Sequence, residues 1–256
     1  MDATGFIKTS RTLVLASALI AGSSIAASAE EAPIPLGSGA TALLSASYSA
    51  PPTGVVTLGG HTFDLTAGTA LVLGNGESAS FAGSYPGFNG AYLLINSANT
   101  SMWLDQQPVG SVVLTFSDGT TQTEVLTVGV NLGEWRTGAG PAYISLPNHV
   151  WVGTATDGTE AVIDMLSIPA STASNGKTLT GVSISNTNTM TFISLAIMVD
   201  ALTIDFTPPV PTPTLTCPEA GNASTNWASK DKHLEHCAEQ GQQTAARQAA
   251  HSSGTH

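Results

Sequence analysis

From residue 55 to residue 206 the apolar side chains recur at every second position, in short runs divided by turn-forming residues. Residues 55–58 lead into Gly59-Gly60, and 61–65 alternate after that turn. Residues 70–73 stop at Gly74-Asn75-Gly76, and the run 91–96 (AYLLIN) reads as a buried strand. Residues 112–116 and 121–128 flank Ser117-Asp118-Gly119-Thr120. Asp-Gly tolerates the positive φ of a tight turn, so this pair predicts a hairpin. A second such turn, Asp157-Gly158-Thr159, separates 150–152 from 160–168, and 178–185 and 192–206 complete the set. No window in this region carries a helical period with caps, because Gly, Pro and β-branched residues interrupt each one. Roughly ten short, evenly spaced strands predict an antiparallel β-sandwich or barrel.

The pattern ends at 208–213 (PPVPTP), which cannot enter a sheet interior. Beyond it, residues 227–250 are rich in Ala, Gln, Lys and Glu and too poor in apolar residues to build a core. The expected organisation is a sandwich over 30–207, a Pro-rich linker over 208–216, and a flexible, low-complexity tail over 217–256 that is helical in part. Residues 1–29 precede the sandwich and have the form of a secretory signal peptide. Lys8 and Arg11 supply positive charge, 13–20 form a short apolar run, and Ala27-Ser28-Ala29 match a cleavage site. That run is too short to cross about 30 Å of hydrocarbon. The expected location is therefore secreted or extracytoplasmic, with no membrane span.

Export changes the reading of the two cysteines. In an oxidising compartment Cys217 and Cys237 are expected to form a disulfide that staples the tail, restraining the unfolded chain by roughly 3 kcal/mol. Charge narrows the partners. Between 30 and 207 stand only Arg136 and Lys177 against thirteen acidic residues. Such a surface repels phosphate, which argues against nucleic acid and against an anionic membrane.

The order of landmarks along the chain is similar to that of exported jelly-roll modules of the galactose-binding-like superfamily. The landmarks are the strand 91–96, the strand 109–116 running into Ser117-Asp118-Gly119-Thr120, and the stretch 126–132 followed by Gly133-Glu134-Trp135. Late in the domain, 177–184 precedes 192–197. The resemblance covers about 110 residues, from 91 to 204. It implies a jelly-roll sandwich of a type that accompanies secreted glycoside hydrolases and binds glycans. It supplies no invariant binding residue, and no catalytic domain is expected alongside the sandwich in this chain.

Glycan recognition needs flat aromatic faces beside carboxylates and amides. Trp103, followed by Asp105 and Gln106 in the loop-like stretch 99–107, offers that combination, and Trp135 beside Glu134 and Arg136 is a second candidate. The competing role for each tryptophan is packing: Trp103 at a sheet edge, Trp135 as a plug beneath a loop, and Trp151, between Val150 and Val152, in the core. No cofactor is expected. Calcium, frequent in jelly rolls, would draw on Asp118, Asp157, Asp164, Asp200 and Asp205, but these are spread widely, and Asp118 and Asp157 read as turn residues. His233, His236 and Cys237 lack a second cluster to complete a metal site.

Hydrolysis would need two carboxylates facing one cleft, and nothing in the spacing of Glu77, Glu124, Glu134 and Glu160 selects a pair. There is no Gly-x-Ser-x-Gly, and His61 and His149 are the only imidazoles in the sandwich. The expectation is a non-enzymatic binding module for a glycan or cell-surface polymer. The alternative is a structural or surface-associated protein with no small ligand, contacting a protein partner through its tail. A secreted hydrolase with an unrecognised site is the third.

Overall fold

The computed structural model describes residues 28–137 and 143–210. The tail, Cys217 and Cys237, and residues 1–27 of the leader lie outside the described residues. The architecture is all-β, and every ladder between strands is antiparallel.

The strands in chain order are β1 (Glu30–Ile34), β2 (Ala42–Leu43), β3 (Val55–Leu58), β4 (His61–Asp64), β5 (Thr69–Leu73), β6 (Ser78–Tyr85) and β7 (Phe88–Ala98). After them come β8 (Pro108–Phe116), β9 (Thr121–Thr127), β10 (Trp151–Thr154), β11 (Glu160–Ile163), β12 (Met165–Pro169), β13 (Leu179–Asn186) and β14 (Ala196–Phe206). A single helical turn, α1 (Leu44–Ser47), follows β2. The larger sheet runs β12-β7-β14-β5-β2, with β1 also pairing β14, and the smaller runs β6-β13-β8-β9. The two predicted Asp-Gly turns join β8 to β9 and β10 to β11. In each, the aspartate Oδ1 accepts from the backbone N–H and the hydroxyl of the threonine two residues on.

The sandwich core lies between these sheets. Leu93 and Ile95 of β7, Leu202 and Ile204 of β14, and Leu71 and Leu73 of β5 meet Val112, Leu114 and Phe116 of β8 and Val182 and Ile184 of β13. The opposite face of the larger sheet is also covered. There Ala70, Leu94 and Ala201 pack with Leu44, Tyr48, Phe63, Ala161 and Ile163, beneath the hairpins β3-β4 and β10-β11. Burial on both faces explains the apolar run 91–96, whose alternate residues enter opposite cores.

β14 reaches both cores through a bulge. Val199 pairs with Ile95 and Ala201 with Leu94, so Asp200 is an extra residue on its strand. The inserted residue reverses the alternation. Before it the odd-numbered Ile197 and Val199 face the sandwich core, and after it the even-numbered Leu202 and Ile204 do.

Close packing of β8 against its neighbour β13 and against β14 fixes one glycine. A Cβ on Gly110 of β8 would collide with the Ser185 carbonyl oxygen and lie 2.9 Å from Ile197 Cδ1. Backbone cannot yield as a side chain does, so Gly110→Ala should destabilise the fold by about 1–3 kcal/mol in urea unfolding. An unchanged midpoint would contradict this packing.

Candidate functional site

Antiparallel pairing brings four connections to one end of the sandwich: 74–77 between β5 and β6, 99–107 between β7 and β8, 128–132 after β9, and 187–195 between β13 and β14. Asparagine side chains tie three of them, 74–77, 99–107 and 187–195, together. Buried Asn186 donates through Nδ2 to the carbonyls of Leu73 (3.0 Å) and Leu195 (2.9 Å), and its Oδ1 accepts from Asn188 N–H. Asn188 donates to Asn75 Oδ1 (3.1 Å) and accepts from Met190 N–H through its own Oδ1. Asn75 donates to the Ile193 carbonyl and Asn99 to the Ser194 carbonyl, each at 2.9 Å. Buried amides with filled donors and acceptors hold a loop in one shape. The loop held here carries Phe192, 76% exposed.

The neighbouring loop carries Trp103, 70% exposed, beside exposed Met102. Both belong to a single 3-10 turn, Met102–Leu104, whose Leu104 is buried in the sandwich core as the anchor. At the loop's start, Thr100 donates from both its N–H and its hydroxyl to Glu134 Oε2. At its end, Gln106 N–H donates to the Val128 carbonyl. Asn99 and Gln106, with φ of 65° and 59°, are the non-glycine residues of positive φ among the described residues, and both flank this loop. Such backbone persists only where surrounding contacts enforce it, and it clusters at binding loops.

The structure thus places Trp103, Asp105 and Gln106 together in one exposed loop, with Gln106 Nε2 donating to Asp105 Oδ1 at 3.3 Å. Trp135 is placed differently. Its ring is half-buried against the second core, edge-on to Tyr48 at 5.5 Å, with the Arg136 guanidinium 4.9 Å over it. Trp151 also packs edge-on to Tyr48. Phe192 and the asparagine framework belong to the site but carry weaker sequence signals. The alternating pattern draws Phe192 into the strand predicted over 192–206, whereas β14 begins at Ala196. The run Asn186-Thr187-Asn188-Thr189 was the available sign that a polar loop intervenes.

A second concentration of chemistry lies around Tyr48, under the hairpins. Asp164 meets His149 Nδ1 at 2.6 Å and Asn96 Nδ2 at 2.9 Å, while its N–H donates to Asn96 Oδ1. Glu134 and Asp200 are also buried, and one oxygen of each lacks a hydrogen-bond partner. Burial raises the pKa of all three carboxyls, and for Asp200 to about 7. The tryptophans beside them, Trp135 and Trp151, are half-buried and pack on Tyr48. Of the other aspartates considered for calcium, Asp118 and Asp157 are bound within their turns and Asp205 accepts from Asn89. Among the described residues, no group of three or more His, Cys, Asp or Glu is arranged to hold a metal ion. No described helix is long and apolar enough to cross a membrane.

No protein-family model matches this chain, and no curated protein matches it.

The Asp200 carboxyl generates a pH prediction. Its folded pKa exceeds that of the unfolded chain, so the native state keeps a proton that the unfolded state releases. Its contribution to stability is full below about pH 4 and is lost as pH rises through about 7. Asp200→Asn removes this titration. The variant should gain on the wild type by roughly 1–3 kcal/mol between about pH 5 and pH 8 in urea unfolding. A difference between the two proteins that does not change with pH would contradict it.

Proposed function

We propose that this chain is an exported, non-catalytic binding module of the galactose-binding-like jelly-roll type, recognising glycan through the loop end that carries Trp103 and Phe192. The observation that carries this reading is the exposure of Trp103 on a loop whose backbone is pinned at both ends. A large aromatic face left in water costs hydrophobic free energy in the free protein. Pinning it outward by hydrogen bonds from both flanks is the arrangement a stacking platform requires, because little ordering remains for the ligand to bring about. Asp105 accepts hydrogen bonds from sugar hydroxyls, and the amides of Gln106 and Gln107 donate and accept. The hydroxyls of Thr187, Thr189 and Thr191 line the neighbouring loop. Phe192 adds a second aromatic face.

The rival reading as a surface-interaction protein draws on a different place. β6 is an edge of the smaller sheet, and its outward positions Ser78, Ser80, Ala82 and Ser84 are exposed and small. Beside it runs a groove of about 480 Å³ between Ile34, Pro35 and Leu36 on one side and Phe81 and Tyr85 on the other. An unpaired edge beside a groove accepts an extended peptide. The loop end is favoured because its aromatics are presented to solvent, whereas Phe81 and Tyr85 are partly buried against the core.

The test is binding to a panel of soluble and insoluble polysaccharides, comparing the purified chain with Trp103→Ala and Phe192→Ala. Trp103→Ala should weaken binding by about tenfold or more, and Phe192→Ala by a smaller factor, with unfolding midpoints unchanged for both. Binding that survives both substitutions, or no binding to any glycan, would contradict the proposal.

A further inference from the structure

We infer that the loop end selects uncharged glycans and rejects those bearing uronate or sulfate; this rests on the glycan reading above and specifies its ligand class. The four connections that form the surface contain no Lys, Arg or His, but they do carry two carboxylates, Glu77 and Asp105. Recognition of a carboxylate or sulfate in water calls on a guanidinium or ammonium to replace the lost hydration, and Arg does so with a planar pair of donors. No such group is present to do it here.

The basic side chains elsewhere in the described sandwich are already engaged. Lys177 pairs with Asp118 at 2.6 Å, at the β8-β9 turn on the opposite end of the sandwich. Arg136 pairs with Asp157 at 2.9 Å and lies over Trp135. His61 meets Glu31 and His149 meets Asp164, both in the layer beneath the hairpins. An anionic chain docking on Trp103 would therefore meet Asp105 at close range, within the screening length of about 8 Å at physiological salt. It would also meet the field of a domain in which acidic residues outnumber basic ones by eleven.

For a neutral sugar the same residues are favourable. Asp105 accepts from hydroxyls on either oxygen, and Gln107 presents an exposed amide that makes a long 3.5 Å donation to the Asp105 carbonyl. Aromatic stacking against sugar C–H groups needs no charge. The surface thus combines attraction for hydroxyl-rich faces with repulsion of acidic ones, and specificity comes from the second as much as the first.

The experiment uses the purified full chain against three sets of polysaccharide at about 0.05 M and about 0.5 M salt. The sets are neutral glucans, xylans and mannans; polygalacturonate and a sulfated galactan; and a deacetylated amino-polysaccharide. Neutral ligands should bind with affinity unchanged within about twofold by salt, and anionic ones about tenfold or more weakly at low salt. Thr189→Lys places an ammonium on the exposed 187–195 loop. It should shift selectivity, raising anionic binding relative to neutral binding by about threefold or more.

Anionic glycans binding as well as neutral ones would overturn this inference and leave the glycan reading standing. So would binding confined to the amino-polysaccharide and abolished by salt, or a Thr189→Lys variant with no gain for anions. Failure of every set would overturn the glycan reading itself.

Discussion

The bulge at Asp200 is the constraint on which the architecture turns. β14 is the longest contact of the larger sheet, flanked along its length by β7 and on its other side by β5 and then β1. Without the extra residue, one half of β14 would present its Ile, Val and Leu to the wrong core. With it, both halves feed the sandwich core, and Ala201 and Thr203 face the hairpin layer. The cost is local: the inserted residue is a buried aspartate with one unpartnered oxygen, close to Tyr48. The carboxyl relieves that cost by holding its proton to about pH 7.

The hairpin layer follows from the same two-sided burial. A sheet apolar on both faces needs a second cover, and β3-β4 and β10-β11 supply it with Phe63, Ala161 and Ile163. Between them the layer encloses polar pairs, Asn96 with Asp164 and Thr203 with the Thr62 carbonyl. Trp135 and Trp151 are drawn inward to finish this cover around Tyr48. That leaves Trp103 and Phe192, on the loop end, as the exposed large aromatics among the described residues.

Most strands from β3 onward and both Asp-Gly turns were legible in the sequence because alternation and turn chemistry are local, whereas β1, β2 and β6 were not read and 160–168 divides into β11 and β12. The run 91–96 was legible as a buried strand, but its burial in two separate cores was not. Other features were not, because they depend on partners far along the chain. The bulge at Asp200 is defined only against Ile95 and Leu94, and the asparagine framework joins Asn75 to Asn188 across 113 positions. Trp103, Asp105 and Gln106 were readable as a group because they share one loop. The packing role of Trp135 was readable beside its role as a binding candidate, but its partner was not, since what meets its ring is Tyr48, 87 positions earlier.

The central claim is that the free end of the sandwich, rather than an edge or a groove, is where ligand is met. Mapping amide and side-chain NMR shifts during titration with a neutral oligosaccharide tests it most directly. The account predicts that the Trp103 indole, the Phe192 ring and the amides of 99–107 and 187–195 move together, while β6 and the Tyr48 layer stay still. Shifts confined to β6 and the groove along Ile34, Pro35 and Leu36 would contradict it.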